Sequence, residues 1–166
     1  DIYFEQQVHS QQSQQSHILE VYIILVEDLF ILQDYWGVKI LKNLLTNIAR
    51  IFLALYFLLP GIGKFIAWDD QVALMEAHNM KMVPLLLAIA GVIQIVGGIS
   101  LLLKKYVVVC ALGFAAMTIV INVNLHDFWN VYEGINAERE TQNFFKNLGI
   151  FAGLLLLAAI HIEESN

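Results

Sequence analysis

The sequence predicts an all-α fold: an integral membrane four-helix up-down bundle with a poorly structured N-terminal extension. Three observations lead there. Of 166 residues, 58% are hydrophobic and 14% charged, whereas soluble domains run nearer about 50% and about 25%. From residue 40 onward the chain holds four apolar runs, each of roughly 20 residues, the length that spans a bilayer as a helix. The connections between successive runs are short or polar, which makes neighbouring helices antiparallel.

Residues 1–39 read differently from the rest and form an N-terminal extension. QQVHSQQSQQS is a glutamine and serine tract with too little apolar surface to bury a core, so it is expected to be disordered. HILEVYIILVEDLFIL follows, broken by Glu20, Glu27 and Asp28. Its uninterrupted stretches are too short to cross a bilayer, so a short strand or interfacial helix is expected. The chain starts with Asp1 and its first methionine is Met75, which suggests a fragment, a processed product, or non-native residues within 1–39. No signal peptide is expected, because no basic region precedes an apolar core and a small-residue cleavage site.

Residues 40–166 carry the spans. The first run, about Leu44 to Ala67, has Pro60, Gly61 and Gly63 near its far end, where the proline should kink or loosen the helix. In the polar connection AWDDQVALMEAHNMKM, Val72, Ala73, Met75, Glu76 and His78 have the spacing of a short surface helix. The second run, about Met82 to Leu103, places Pro84 in its first turn, where proline lacks only a donor that is unpaired anyway. Lys104 and Lys105 make a tight turn into the third run, about Tyr106 to Leu125. The fourth, about Asn143 to Ile162, ends in Glu163 and Glu164.

Charge sets orientation and excludes some partners. Lys39, Lys42, Arg50, Lys104 and Lys105 fall on one side, and Lys64, Lys81, Arg139 and Lys146 on the other. Lys64 and Lys146 adjoin apolar runs and are functional candidates, so the remaining bias favours both termini in the cytoplasm. Trp68, Phe128, Trp129 and Tyr132 would form the outer aromatic belt. A net charge of -6 argues against nucleic acid. One cysteine, Cys110, excludes a disulfide framework or a CxxC pair.

The polar residues inside the runs are the candidate site. Thr118, Asn122 and His126 are successive i, i+4 neighbours on one face of the third run. In hydrocarbon they need partners within the bundle, and Asn143, Lys146 and Asn147 open the fourth run to supply them. Thr118, Asn122 and Gln94 are read as helix-packing polar groups. Gln94, with Ala90 and Gly98 one turn to either side, should bond across a close helix contact worth ~0.6 to 2 kcal/mol. Gly149 and Gly153 have GxxxG spacing and predict close packing within the protomer or in a dimer. Lys64, His126, Asn143, Lys146 and Asn147 are expected to lie at one depth and to line one polar, ligand-binding pocket. Two lysines there repel unless an electron-rich ligand, or a carboxylate such as Asp127 or Glu133, lies between them. Asp127 is also a candidate partner for His126. No metal site is expected, because His78, His126, Asp127 and Glu133 lack a diagnostic spacing.

RIFLALYFLLPGIGKF, GVIQIVGGISLLL, NLHDFW and TQNFFKNLGIFAGLLLL, in that order, resemble the DoxX family of small four-helix membrane proteins. The resemblance spans roughly Ile40 to Ala159. It implies an inner-membrane protein, and relatives named for thiosulfate:quinone oxidoreduction link the family to respiratory or sulfur redox chemistry. Many members carry glutamate where this chain has Gln94, so proton transfer there is not implied. The function expected is a membrane subunit of a quinone-linked redox system, whose pocket would take a quinone or lipid, with no metal or flavin of its own. The alternative is a non-catalytic scaffold or small transporter-like protein whose polar clusters serve only packing. Expected partners are membrane lipid, redox proteins and a second copy of the chain. No residue is assigned a catalytic role.

Overall fold

The structure, a computed structural model, describes the backbone of residues 2–130 and 132–163 and the side chains of residues 19–29, 35–130 and 132–163. The chain divides into two compact units, Asp1–Leu45 and Thr46–Asn166. Helix α1, Ile2–Ile66, runs through both. In the first unit the backbone is helical through the Gln/Ser tract and the apolar stretch after it, with no strand and no break near residue 40. Glutamine is a fair helix former, and a helix needs no core to satisfy its backbone. The described side chains of this unit are exposed, apart from half-buried Val26.

The second unit holds the end of α1 and four further helices: α2 Trp68–Ala77, α3 Val83–Leu102, α4 Val107–Leu125 and α5 Ala137–Glu163. Among the described residues four stretches are long and apolar enough to cross a membrane: Tyr35–Ile66, Val83–Leu102, Val107–Leu125 and Ala137–Glu163. The protein is an integral membrane protein with the expected four spans. The fourth helix begins six residues earlier than its apolar run, because Glu138 and Glu140 in its first turn suit the positive end of the helix dipole. Helix α2 is the short helix expected in the polar connection, and Pro84 lies in the first turn of α3.

Close approaches between helices fix the topology. Arg50 donates to Leu101 O and, at 3.0 Å, to Leu102 O. A Cβ on Gly98 would meet Leu58, one on Gly61 would meet Gln94, and one on Gly91 would meet Phe65. Numbers rise along α1 as they fall along α3, so the two are antiparallel. Gly97 faces Phe114 across α3 and α4, whose turn is closed by Lys104 N donating to Leu101 O and Lys105 N to Ser100 O. His126 meets Glu140, and Asn122 meets Asn147, so α4 and α5 are antiparallel as well. This is an up-down order.

Ala54, Phe57, Leu101, Ala111, Phe114 and Leu154 form the core where α1, α3, α4 and α5 meet. Phe57 and Phe114 stack at 4.0 Å between ring centroids. Arg50 is buried with its guanidinium on the last carbonyls of α3, a cation at a helix C-terminus. Outward-facing Val92 and Val96 of α3, Val109 of α4 and Leu156 of α5 are exposed, as befits side chains that meet lipid rather than water.

The small residues that matter for packing are not those with the motif. Gly149 and Gly153 have no neighbour within 4 Å of a built Cβ, so their GxxxG spacing makes no close contact within the protomer. Gly98 does: a Cβ there would lie 2.9 Å from Leu58 Cβ and 3.2 Å from Ala54 O, part of the fixed backbone. Gly98→Ala should therefore destabilise the bundle by about 1–3 kcal/mol through overpacking. Gly149→Ala should be neutral or stabilising by up to about 1 kcal/mol. Thermal unfolding in detergent checks the contrast, and equal melting of the two variants would contradict it.

Candidate functional site

The polar face of α4 finds its partners within the bundle. Thr118 donates its hydroxyl to Phe114 O one turn back at 2.7 Å. Asn122, only 1% exposed, donates to Phe144 O of α5 at 3.0 Å and accepts from Asn147 Nδ2 at 2.8 Å. Asn147 in turn accepts from Tyr56 Oη of α1 at 2.9 Å. One chain of hydrogen bonds thus ties α1, α5 and α4 together inside the apolar layer. Asn147 is the residue of the α5 set that meets the α4 stripe. Lys146 is exposed and turns back to Asn143, donating to its Oδ1 at 2.9 Å.

His126 ends α4, and its partner is not Asp127. Its Nδ1 lies 2.5 Å from Oε2 of Glu140, a buried carboxylate in the first turn of α5. A carboxylate accepts, so Nδ1 is the donor of this bond between α4 and α5. Asp127 faces the other way and receives hydrogen bonds from Asn130 Nδ2 and Tyr132 Oη, both at 2.6 Å. Burial alone would raise its pKa. The hydrogen bonds from Tyr132 and Asn130, with the nearby His78, outweigh that and hold the carboxyl below its ordinary value. The same bond holds the Tyr132 phenol above its ordinary value, since it stabilises the protonated donor. His78 stands 4.9 Å from the Tyr132 ring between centroids. This network pins the loop that joins α4 to α5, and so sets where His126 and Glu140 meet. Glu133 is exposed. Neither Asp127 nor Glu133 lies between the lysines.

Two cavities adjoin at His126. The first, of about 350 Å³, is the more polar of the two and is lined by Tyr56, Lys64, Gln94, Thr118, His126, Asn143, Lys146 and Asn147 among others. All five residues expected at one depth thus border one cavity, together with Gln94 and Thr118. The second, of about 440 Å³, is chiefly apolar, with walls that include Leu87, Ile93, Met117 and Val120. Lys64, Ile121 and His126 border both. The volumes fall in the range of small-molecule sites, about 300–1,000 Å³.

The groups on this cavity fall into two sets. Tyr56, Thr118 and Asn147 have committed their polar atoms to other residues. Lys64 has no hydrogen-bond partner among the described residues, nor does the amide of Gln94, which is 4% exposed with a buried, unpaired Oε1. Gln94 therefore does not bond across the close helix contact at Gly61, although that contact exists. His126 Nε2 is also without a partner among the described residues. What the cavity offers is an ammonium, an amide and an imidazole.

The DoxX family model matches residues 45–127, half of the chain. The chain belongs to the DoxX family. It is 29% identical to the Inner membrane protein YphA of Escherichia coli K12 over 124 residues, 75% of this chain and 88% of that one. It is 30% identical to the Inner membrane protein YqjF of the same organism over 122 residues, 72% of this chain and 86% of that one. No solved structure matches. The DoxX match takes in Lys64, Gln94, Thr118, Asn122 and His126 and stops before α5, so the α5 half of the cavity rests on the geometry.

Glu140 and Tyr56 escaped the sequence reading, yet each carried a signal. Glu140 lies three and seven residues before Asn143 and Asn147, on the same helical face. Tyr56 lies two turns before Lys64 on α1. Asn147→Leu should leave Asn122 Oδ1 unpaired in the core and cost about 1–3 kcal/mol, whereas Tyr56→Phe removes one bond while Asn147 keeps another and should cost about 0.5–1.5 kcal/mol. Unfolding of the purified variants in a mixed-micelle titration measures both, and a larger loss for Tyr56→Phe would contradict this order.

Proposed function

We propose that this DoxX-family protein is a membrane component of a quinone-linked redox system in the bacterial inner membrane, with both termini in the cytoplasm, and that it holds a quinone-type amphiphile between its helices. The observation that carries this reading is the pair of adjoining cavities, polar and apolar, with Lys64 and His126 at their junction. A ligand with a ring bearing oxygens and an aliphatic tail has the same division. Its head would take the hydrogen bonds of Lys64, Gln94 and His126, and its tail would lie along Leu87, Ile93 and Met117. The inner-membrane location agrees with the names of YphA and YqjF.

The non-catalytic scaffold or transporter-like alternative accounts for part of the same residues. Tyr56, Thr118, Asn122 and Asn147 bond to one another and to backbone, which is what packing alone requires. It leaves Lys64, Gln94 and His126 Nε2 without a role. Bringing an ammonium into the bundle is costly when it is unpaired, and a bound head group offsets that cost.

Purification with native lipids followed by mass spectrometry of the extract tests the proposal. Quinone should be enriched over its share of the bulk membrane lipid. Lys64→Met keeps the stem volume and removes the charge, and should lower retention about tenfold, or 1.4 kcal/mol. Lys146→Met should lower it far less, since that ammonium is exposed and already bonded to Asn143. A wild-type extract with no enrichment of quinone would move the assignment to the scaffold.

A further inference from the structure

Helices α3 and α4 touch near the turn that joins them and leave a space between them farther along. At the near end Gly97 makes room for Phe114: a Cβ on Gly97 would lie 2.6 Å from Cζ of that ring. The same two helical stripes then continue as Leu86, Ala90 and Ile93 on α3 and Met117, Ile121 and Leu125 on α4. These residues border the apolar cavity of about 440 Å³.

Packing closes three sides of that cavity. The contact of Gly97 with Phe114 closes the end near the turn. Toward α1, Phe65 fills the place that a Cβ on Gly91 would take, with Cε2 at 2.6 Å from it. At the α2 end, Met75, Val83 and Leu87 are buried together, with Trp68, Met80 and Leu125 packed against them. Lys64 and His126, the basic residues of the lining, stand where this cavity meets the more polar one. One side is left. It carries Leu86, Ile89 and Ile93 of α3 and Val120 of α4, which border the cavity and are nonetheless 41%, 48%, 47% and 59% exposed. Aliphatic side chains so exposed on two helices of spanning length meet hydrocarbon.

We propose that the cleft between α3 and α4, flanked by Ile89 and Val120, is a mouth that opens sideways on the bilayer core, and that the ligand is a membrane-borne molecule which enters through it and leaves the far part of its tail among the lipids. This rests on the ligand reading of the preceding subsection and deepens it by naming the class of molecule as a polar head on a long apolar tail. The path from the mouth leads past Ile121, which borders both cavities as Lys64 and His126 do, so the head stops at the ammonium. Lipid chains are as apolar as the walls, so a tail gains little by moving from the bilayer into the cavity. Affinity therefore resides in the head, and an open mouth makes the length of the tail indifferent, whereas a sealed cavity of this volume would admit only a short one.

The test is binding to the full chain in lipid nanodiscs, at concentrations expressed as mole fraction in lipid, of two benzoquinone probes, one with a single prenyl unit and one with a polyprenyl tail. The wild type should bind both to within about threefold. Ile89→Trp combined with Val120→Trp narrows the mouth and should weaken the polyprenyl probe about tenfold or more, while the short probe, which fits inside, should stay within about twofold. Val96→Trp combined with Val109→Trp, at exposed positions that border neither cavity, should change neither. Should the mouth variant not fold, a polyprenyl quinone with a diazirine part-way along its tail should label the wild type on α3 near Ile89 and on α4 near Val120, and label on α1 or α5 alone would overturn the mouth. Exclusion of the polyprenyl probe from a wild type that binds the short one, or an equal effect of the mouth variant on the two probes, would overturn this inference and leave the ligand reading standing. Binding of neither probe would overturn both.

Discussion

A polar side chain inside a lipid-embedded bundle must be paired by another helix, and the bond from Asn147 to Asn122 meets that constraint at the centre of this protein. It fixes the register of α4 against α5. With that register set, His126 at the end of α4 reaches Glu140 in the first turn of α5, and Asn143 falls beside the same cavity. Tyr56 extends the chain of bonds to α1, and the spacing from Tyr56 to Lys64 along that helix carries the ammonium to the junction of the two cavities. A single buried amide pair thus aligns three helices. The fourth, α3, is aligned by a different device, the close approach of Gly61, Gly91 and Gly98 at its contact with α1.

The same economy separates structure from chemistry within one polar face. Thr118 returns its hydroxyl to its own helix, which satisfies the group without a ligand. Asn122 has both its amide nitrogen and its oxygen bonded by α5. One turn further along, His126 spends one ring nitrogen on Glu140, and the residue borders both cavities. The stripe on α4 therefore passes from packing to candidate function as it reaches the end of the helix.

The spans and the convergence of Lys64, His126, Asn143, Lys146 and Asn147 were legible in the sequence because apolar run length and helical spacing are local properties. The partner of His126 was not. Sequence proximity favours Asp127, but the chain turns at His126 and points the two side chains apart, so the carboxylate arrives from fourteen residues on. Gln94 was legible as a buried amide at a close helix contact, and the contact is there at Gly61. That its oxygen stays unpaired depends on the shape of the space between helices, which spacing does not encode. The GxxxG pair at Gly149 and Gly153 shows the converse: the spacing is present and no neighbour answers it within the protomer.

The central claim is that one ligand head sits between Lys64, Gln94 and His126 with its tail in the adjoining apolar space. Photoaffinity labelling with a quinone carrying an azide on its ring, followed by peptide mapping, tests it most directly. The account predicts label on α1 near Lys64 and on α4 near Ile121, and loss of both in the presence of excess unlabelled ligand. Label confined to the outward faces that carry Val92, Val96 or Leu156, or label that excess ligand does not displace, would contradict it.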